Sequence, residues 1–307
     1  SSEPEARSLQ PATVTAPVEP KPAASVELVR PAPPGAPEPI EVYMIRRHRG
    51  MKFLGGFYAF PGGKVDPEDA SPESVAHCVG LETVEAETIF PGHEGAPALA
   101  FWVTAVRELL EESGILLACD AVGRSLDATM PAVSAGVERC REALMAGAAP
   151  FAELVAREGW RCDLRALRYL SHFITPRSSP IRFTARFFLC RAPADQEPRL
   201  FTEETSEGFW ILPGEGYRRF LAGEMAMAEP AEYALAYVAQ FRSLDDLWAA
   251  HDDGRHKFHG IIDRIDVFWE SFDWKANRFP AVIPATPLAS RRKSGSLGAP
   301  DDPFTSD

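Results

Sequence analysis

The chain has 307 residues, with 32 Lys and Arg against 44 Asp and Glu and a formal net charge of −12. That balance argues against a general nucleic-acid or anionic-membrane binder, whose surface is ordinarily basic, so any phosphate has to be met by a local cluster of cations. Five cysteines, Cys78, Cys119, Cys140, Cys162 and Cys190, stand far apart with no CxxC pair, a spacing that offers neither a zinc knuckle nor a disulfide framework and suits a reducing cytosol.

Taken in chain order, residues 1–23 are rich in Pro, Ala, Ser and Glu and poor in large apolar side chains, so they are expected to be a disordered tail. A single folded domain is expected over 24–288, with a second disordered tail over 289–307. "ASVELVR" and "IEVYMIRR" read as two strands joined by the Pro/Gly-rich "PAPPGAPEP", and "GFYAFPGG" as an aromatic strand running into a turn. "ALAFWVTAVRELLEES" has helical periodicity and stops at Gly114, after which "ILLA" restarts as a strand. "VERCREALMAGAAPFAELVARE" reads as helix, "LRYLSHFITP" and "IRFTARFFLCRA" as a strand pair around "RSSP", "EGFWIL" as a strand, and 231–248 as helix. Mixed strands with interposed helices imply an α+β fold. No apolar run approaches the roughly 20 residues that a membrane helix needs, and "PFTSD" carries no peroxisomal or ER-retention signal. The expected location is the cytoplasm.

The long helix carries the most informative pattern. Glu108, Glu111 and Glu112 share an arc of about 100°, while Trp102, Val103, Val106, Leu109 and Leu110 gather on the other side. On an exposed helix, like charges at this spacing cost only about 0.2–0.5 kcal/mol per pair, so a merely solvated acidic face is energetically permitted. Their position is the sharper clue. Acidic side chains favour a helix N-terminus, yet these occupy the last two turns before Gly114, where the helix dipole is negative. A divalent cation relieves that arrangement, and oxygen ligands without Cys or His nearby point to Mg²⁺ or Mn²⁺ rather than zinc. Upstream, "FPGGKVDPED" brings a Pro-Gly-Gly turn that allows close backbone approach to a ligand. It is not a Walker A loop, because Val65 follows Gly63-Lys64.

Together these segments resemble the Nudix hydrolase family, whose box reads G-x5-E-x7-R-E-U-x-E-E-x-G-U with U bulky and apolar. Arg107, Glu108, Leu109, Glu111, Glu112, Gly114 and Ile115 match its second half, and Gly63 matches its opening glycine. Two departures stand out. Asp69 occupies the position of the first glutamate, and 37 residues, instead of seven, separate it from Arg107. An insertion over 70–99 fills the gap, as in the branch similar to peroxisomal coenzyme A diphosphatases and their bacterial relatives.

The resemblance implies a Nudix fold, a mixed β-sheet sandwiched between α-helices, and metal-dependent hydrolysis of a nucleoside diphosphate linked to another moiety, with coenzyme A or its acyl derivatives as the leading substrate. ADP-ribose, NADH or another nucleotide, or a non-catalytic Nudix-fold binding role, are the alternatives. The expected partner is thus a small nucleotide, with neither nucleic acid nor membrane, and the oligomeric state stays open. Metal ligands are expected from Glu108, Glu111 and Glu112, with the Gly63 carbonyl added by the resemblance. Arg107 is expected to orient a carboxylate such as Asp69 or Glu112 through its rigid fork. The general base is Glu111, Glu112, or a glutamate of "FTEETSEGFWIL", where Glu203, Glu204 and Glu207 are candidates. A basic motif ahead of Pro-Gly-Gly in some coenzyme A-cleaving relatives is partly matched by Arg47 and Lys52, which become substrate-binding candidates. Arg186, beside Arg177 and Arg182, is another, although an outward basic row on a strand gives the same pattern. The insertion is expected beside the mouth of the site, acting on substrate choice. His251, His256 and His259 are interrupted by Gly254, and the cluster lacks the four ligands of a structural zinc site.

Overall fold

The computed structural model describes residues 18–92, 96–177, 179–200 and 205–251. Most of both expected tails lies outside these residues, as do His93, Glu203, Glu204, His256 and His259.

The centre of the molecule is β1 (Lys21–Pro31), buried on both faces along most of its length. It begins before the expected boundary at Ala24 because backbone pairing, indifferent to small side chains, already holds Lys21 opposite Phe183. β2 (Ile40–Arg47) returns antiparallel to it. The short β3 (Tyr58–Ala59) adds to β2, and β4 (Gly62–Lys64) lies antiparallel on β1, with Gly63 opposite Ala24.

A 3-10 turn (Pro67–Ala70) leads into the insertion, which forms α1 (Pro72–Ala76), β5 (Cys78–Val79) and α2 (Thr83–Ile89). Next come α3 (Ala98–Ser113), β6 (Ala118–Asp120), α4 (Pro131–Met145), α5 (Phe151–Arg157) and β7 (Trp160–Asp163). The expected single helix of this region is two, because Gly147 takes φ +63° and ends α4. β8 (Leu167–Ile174) and β9 (Phe183–Arg191) form the expected antiparallel pair, followed by β10 (Thr205–Ile211). The chain then forms α6 (Pro213–Leu221), α7 (Glu229–Val238) and α8 (Leu244–Ala249). Here too one expected helix is two, with the Ser243 hydroxyl accepting the Asp246 N–H to start α8 afresh.

The main sheet runs β10-β2-β1-β9-β8 with β3 and β4 at its margins, and β5-β7-β6 form a smaller sheet. β1 and β9 are parallel and the other pairs of the main sheet antiparallel, so this is a mixed sheet. Val26 and Leu28 face one core with Phe101, Trp102 and Leu109 of α3, while Val29 faces the other with Tyr233 and Leu235 of α7. The α+β sandwich expected from the sequence is therefore present. Among the described residues no helix is long and apolar enough to cross a membrane.

The insertion corrects an expectation. Cys78, Ala86 and Phe90 are buried in the α3 core, and β5 pairs with β7. Its apolar side chains have been recruited into the interior instead of decorating the mouth of the site. All five cysteines are free and buried.

Candidate active site

Every residue of α3 except Glu111 is buried. The polar side of the helix is thus covered as well, which the amphipathic pattern alone does not foretell. β4 and the 3-10 turn cover it, and the fit is close. A Cβ on Gly63 would lie 2.2 Å from Glu108 Oε1, and one on Gly62 would lie 2.4 Å from the Ala24 carbonyl. Glycine lets Gly62 lie against the backbone of β1 and lets Gly63 approach the Glu108 carboxylate. The Gly62 N–H donates to Glu112 Oε2 at 2.8 Å. Gly114 ends the helix in the left-handed conformation, φ 74°.

Arg107 organises the cluster. Its Nε donates to Asp69 Oδ1 at 3.0 Å and its Nη2 to Asp69 Oδ2 at 3.0 Å and to the Lys64 carbonyl at 2.8 Å. Its Nη1 donates to Glu108 Oε1 at 2.9 Å and Glu111 Oε1 at 3.0 Å. Burial opposes the guanidinium charge, but Glu108, Asp69 and Glu111 outweigh it and raise the Arg107 pKa. Asp69, the departure from the box, also accepts the Thr104 hydroxyl at 2.7 Å and the Asp66 N–H at 3.0 Å. The 3-10 turn carries the shorter carboxylate to the arginine, so Asp69 orients Arg107 despite its missing methylene. Thr104 and the Gly62 N–H were not singled out in the sequence. The threonine was legible in principle, lying three residues before Arg107 on the same helical face.

Burial, with the charges of Glu111 and Glu112, pushes the Glu108 carboxyl up to about 8 against the lowering pull of Arg107. Burial likewise raises Glu111, again opposed by Arg107. One arginine therefore does not compensate these carboxylates fully, and a hard cation suits the remaining demand and the all-oxygen donor set. Among the described residues, however, no three acidic, His or Cys side chains converge in a geometry that could hold a metal ion. Glu108 and Glu111 are turned to Arg107 and Glu112 to Gly62.

All three glutamates and Gly63 line a cavity of about 1230 Å³ that Arg47 and Lys52 also line. The Arg47 Nε donates to the Phe53 carbonyl at 3.3 Å. The remaining site candidates fall elsewhere. Arg186 lies on the opposite face of β9 from the cavity-lining Ala185 and Phe187; it bonds the Tyr169 hydroxyl at 2.8 Å and covers the Phe90 ring at 4.3 Å. Strand alternation and an aromatic cage have made it a packing residue. Glu207 is exposed on β10 and pairs with Arg46 at 2.7 Å, outside the cavity lining. Arg182 is also used internally, donating to the carbonyls of Thr175 and Val18. His251 is buried against the Tyr237 hydroxyl at 2.9 Å.

Residues 20–238 match the NUDT19 Nudix domain. The chain is 30% identical to the acyl-coenzyme A diphosphatase NUDT19 of Gallus gallus over 268 residues, which cover 73% of this chain and 69% of that protein. It is 29% identical to the Homo sapiens protein of the same description, covering 70% of this chain and 65% of that one. A crystal structure of a Nudix hydrolase from Alicyclobacillus acidocaldarius superposes with TM-score 0.62 at 30% identity, covering 75% of this chain and 96% of that one. With the box helix, its arginine clasp and the glycine approach all in place on this fold, the chain belongs to the Nudix hydrolases, enzymes of diphosphate linkages.

Proposed function

We propose that this protein is a coenzyme A diphosphatase, cleaving the diphosphate of coenzyme A or its acyl derivatives into 3′-phosphoadenosine 5′-phosphate and a 4′-phosphopantetheine product. The observation that carries this reading is the placement of Arg47 and Lys52 in the same cavity as Glu108, Glu111 and Glu112. On a protein of net charge −12, these cations give a highly anionic ligand a local partner. The descriptions of the similar chicken and human proteins agree with it.

Mg²⁺ or Mn²⁺, when bound, neutralises diphosphate oxygens and lowers the pKa of the attacking water. Glu108, Glu111 and Glu112 would hold it on turning from Arg107 and from the Gly62 N–H, with the Gly63 carbonyl as a further oxygen donor. Arg107, fixed by Asp69, sets the orientation of Glu108 and Glu111. Glu111, the least buried of the three, takes a proton from water and passes it to solvent. Gly62 holds Glu112 in place. Five unpaired cysteines favour a reducing compartment, and the cytoplasm is the proposed location.

The test is hydrolysis of coenzyme A, NADH, ADP-ribose, dinucleoside polyphosphates and sugar nucleotides under identical Mg²⁺ or Mn²⁺ conditions. The expected result is preferential conversion of coenzyme A to 3′-phosphoadenosine 5′-phosphate. Far more efficient cleavage of ADP-ribose, which lacks the 3′-phosphate, would overturn the substrate and leave the diphosphate chemistry standing.

A further inference from the structure

The cavity is lined by two chemically distinct groups of side chains. One is the carboxylates of α3; the other is an apolar wall of Phe53, Phe57, Phe173, Ile181, Phe183 and Phe187. Phe57, Phe173 and Phe187 are buried, whereas Phe53, Ile181 and Phe183 keep part of their surface open. Phe53 meets Phe183 edge to face at 5.2 Å, and Phe173 meets Phe187 in the same manner at 5.5 Å. Strand alternation places Phe183, Ala185 and Phe187 toward the cavity. The small side chains of Ala185, Ala228 and Ala231 leave room in front of this wall.

At about 1230 Å³ the cavity exceeds the roughly 300–1,000 Å³ of ordinary small-molecule pockets, so the diphosphate alone does not account for its size. The wall's composition decides what fills the rest. A nucleobase needs several polar groups to read its edge, and this wall offers the Thr175 hydroxyl, one of whose acceptor positions is taken by the Phe183 N–H at 3.0 Å. Hydrocarbon needs only an apolar surface from which water is excluded.

We propose that the aromatic wall is an acyl-chain subsite, in which the fatty chain of an acylated coenzyme A lies against Phe53, Phe57, Phe183 and Phe187 while the diphosphate reaches the carboxylates. This rests on the coenzyme A reading above. The thioester is untouched; water adds across the P–O–P bond and the acyl group leaves on phosphopantetheine. The enzyme therefore grades its substrates by chain, and the room left by Ala185 admits the longer ones.

Steady-state kinetics of the full chain with Mg²⁺ on free, acetyl-, octanoyl- and palmitoyl-coenzyme A test this. In Phe183→Ser and in Phe53→Ser, both at partly open positions, the ratio of kcat/KM for octanoyl-coenzyme A to that for free coenzyme A falls about tenfold, equivalent to about 1.4 kcal/mol. In Ala185→Leu the loss grows with chain length from acetyl to palmitoyl. An unchanged ratio, or parallel losses on free and acylated substrates, overturns the subsite by assigning the wall to packing or to the shared nucleotide. Failure of the unmodified protein to cleave any coenzyme A species instead sinks the underlying reading, and the subsite with it.

Discussion

At the N-terminal end of α3, Phe90 stacks on Trp102 at 4.9 Å with the rings 4° apart, and Glu87 accepts the N–H groups of Gly92 and Ala98, both at 2.9 Å. At the C-terminal end, Arg107 spreads its donors over Asp69, Glu108 and Glu111. The first end obeys the preferences of a helix: apolar packing, and a carboxylate at the positive pole. The second opposes them, crowding carboxylates at the negative pole. The insertion supplies Glu87 and Phe90, so it anchors the helix whose far end carries the proposed metal ligands. On the proposed roles, stability and function are separated along one helix.

The strongest break in that comparison is at the chemical end. Glu112→Gln keeps an acceptor for Gly62 but loses its charge, and turnover is expected to fall by about 10²–10³-fold with thermal stability little changed. Near-normal turnover would remove Glu112 from the metal ligands. At the anchoring end, Phe90→Ala deletes a buried ring from the stack and is expected to lower stability by about 3–5 kcal/mol, seen as a lower midpoint in urea. Whatever fraction remains folded should keep the Mg²⁺ dependence of hydrolysis; loss of that dependence with stability intact would reverse the assignment of the two ends.

The smallest effect is on pH. Glu108 in the folded protein titrates near 8 because burial disfavours its charge, well above an unfolded glutamate near 4.3. Between those values the folded state binds the extra proton, so stability from this group is full below the unfolded value and is lost as pH rises through about 8. In metal-free protein, the fall in Tm from pH 5 to 8 should be shallower for Glu108→Gln than for the unmodified chain. Identical slopes would show that Glu108 is not the group responsible.

Local chemistry is why the box helix was legible. The apolar period of Trp102, Val106 and Leu109 and the stop at Gly114 both act within a few residues, and α3 runs from Ala98 to Ser113 as read. The role of Arg107 followed from its geometry, although its partners proved to be Asp69, Glu108 and Glu111 and not Glu112. What was not legible depended on which way a strand or an insertion faces. Arg186 and Glu207 carry suitable charges, but alternation along β9 turns the first from the cavity, and Arg46 on the neighbouring strand claims the second. Phe90 sits in the insertion, expected at the mouth of the site, and its burial against Trp102 and Phe101 shows it to be core.

The parallel pairing of residues 21–29 with residues 183–191 has a consequence for how the enzyme comes into being. β1 is the strand to which Gly62 and Gly63 are tied, yet its parallel neighbour β9 is synthesised only after the box helix, the small sheet and β8 have emerged. Pairings between segments so distant in the chain close slowly, because the intervening loop must first lose its freedom. The sheet on which the glycine approach is built is thus completed late, after the helix that bears the carboxylates has been made, and a nascent chain halted before β9 carries the whole box on a β1 that lacks its parallel neighbour.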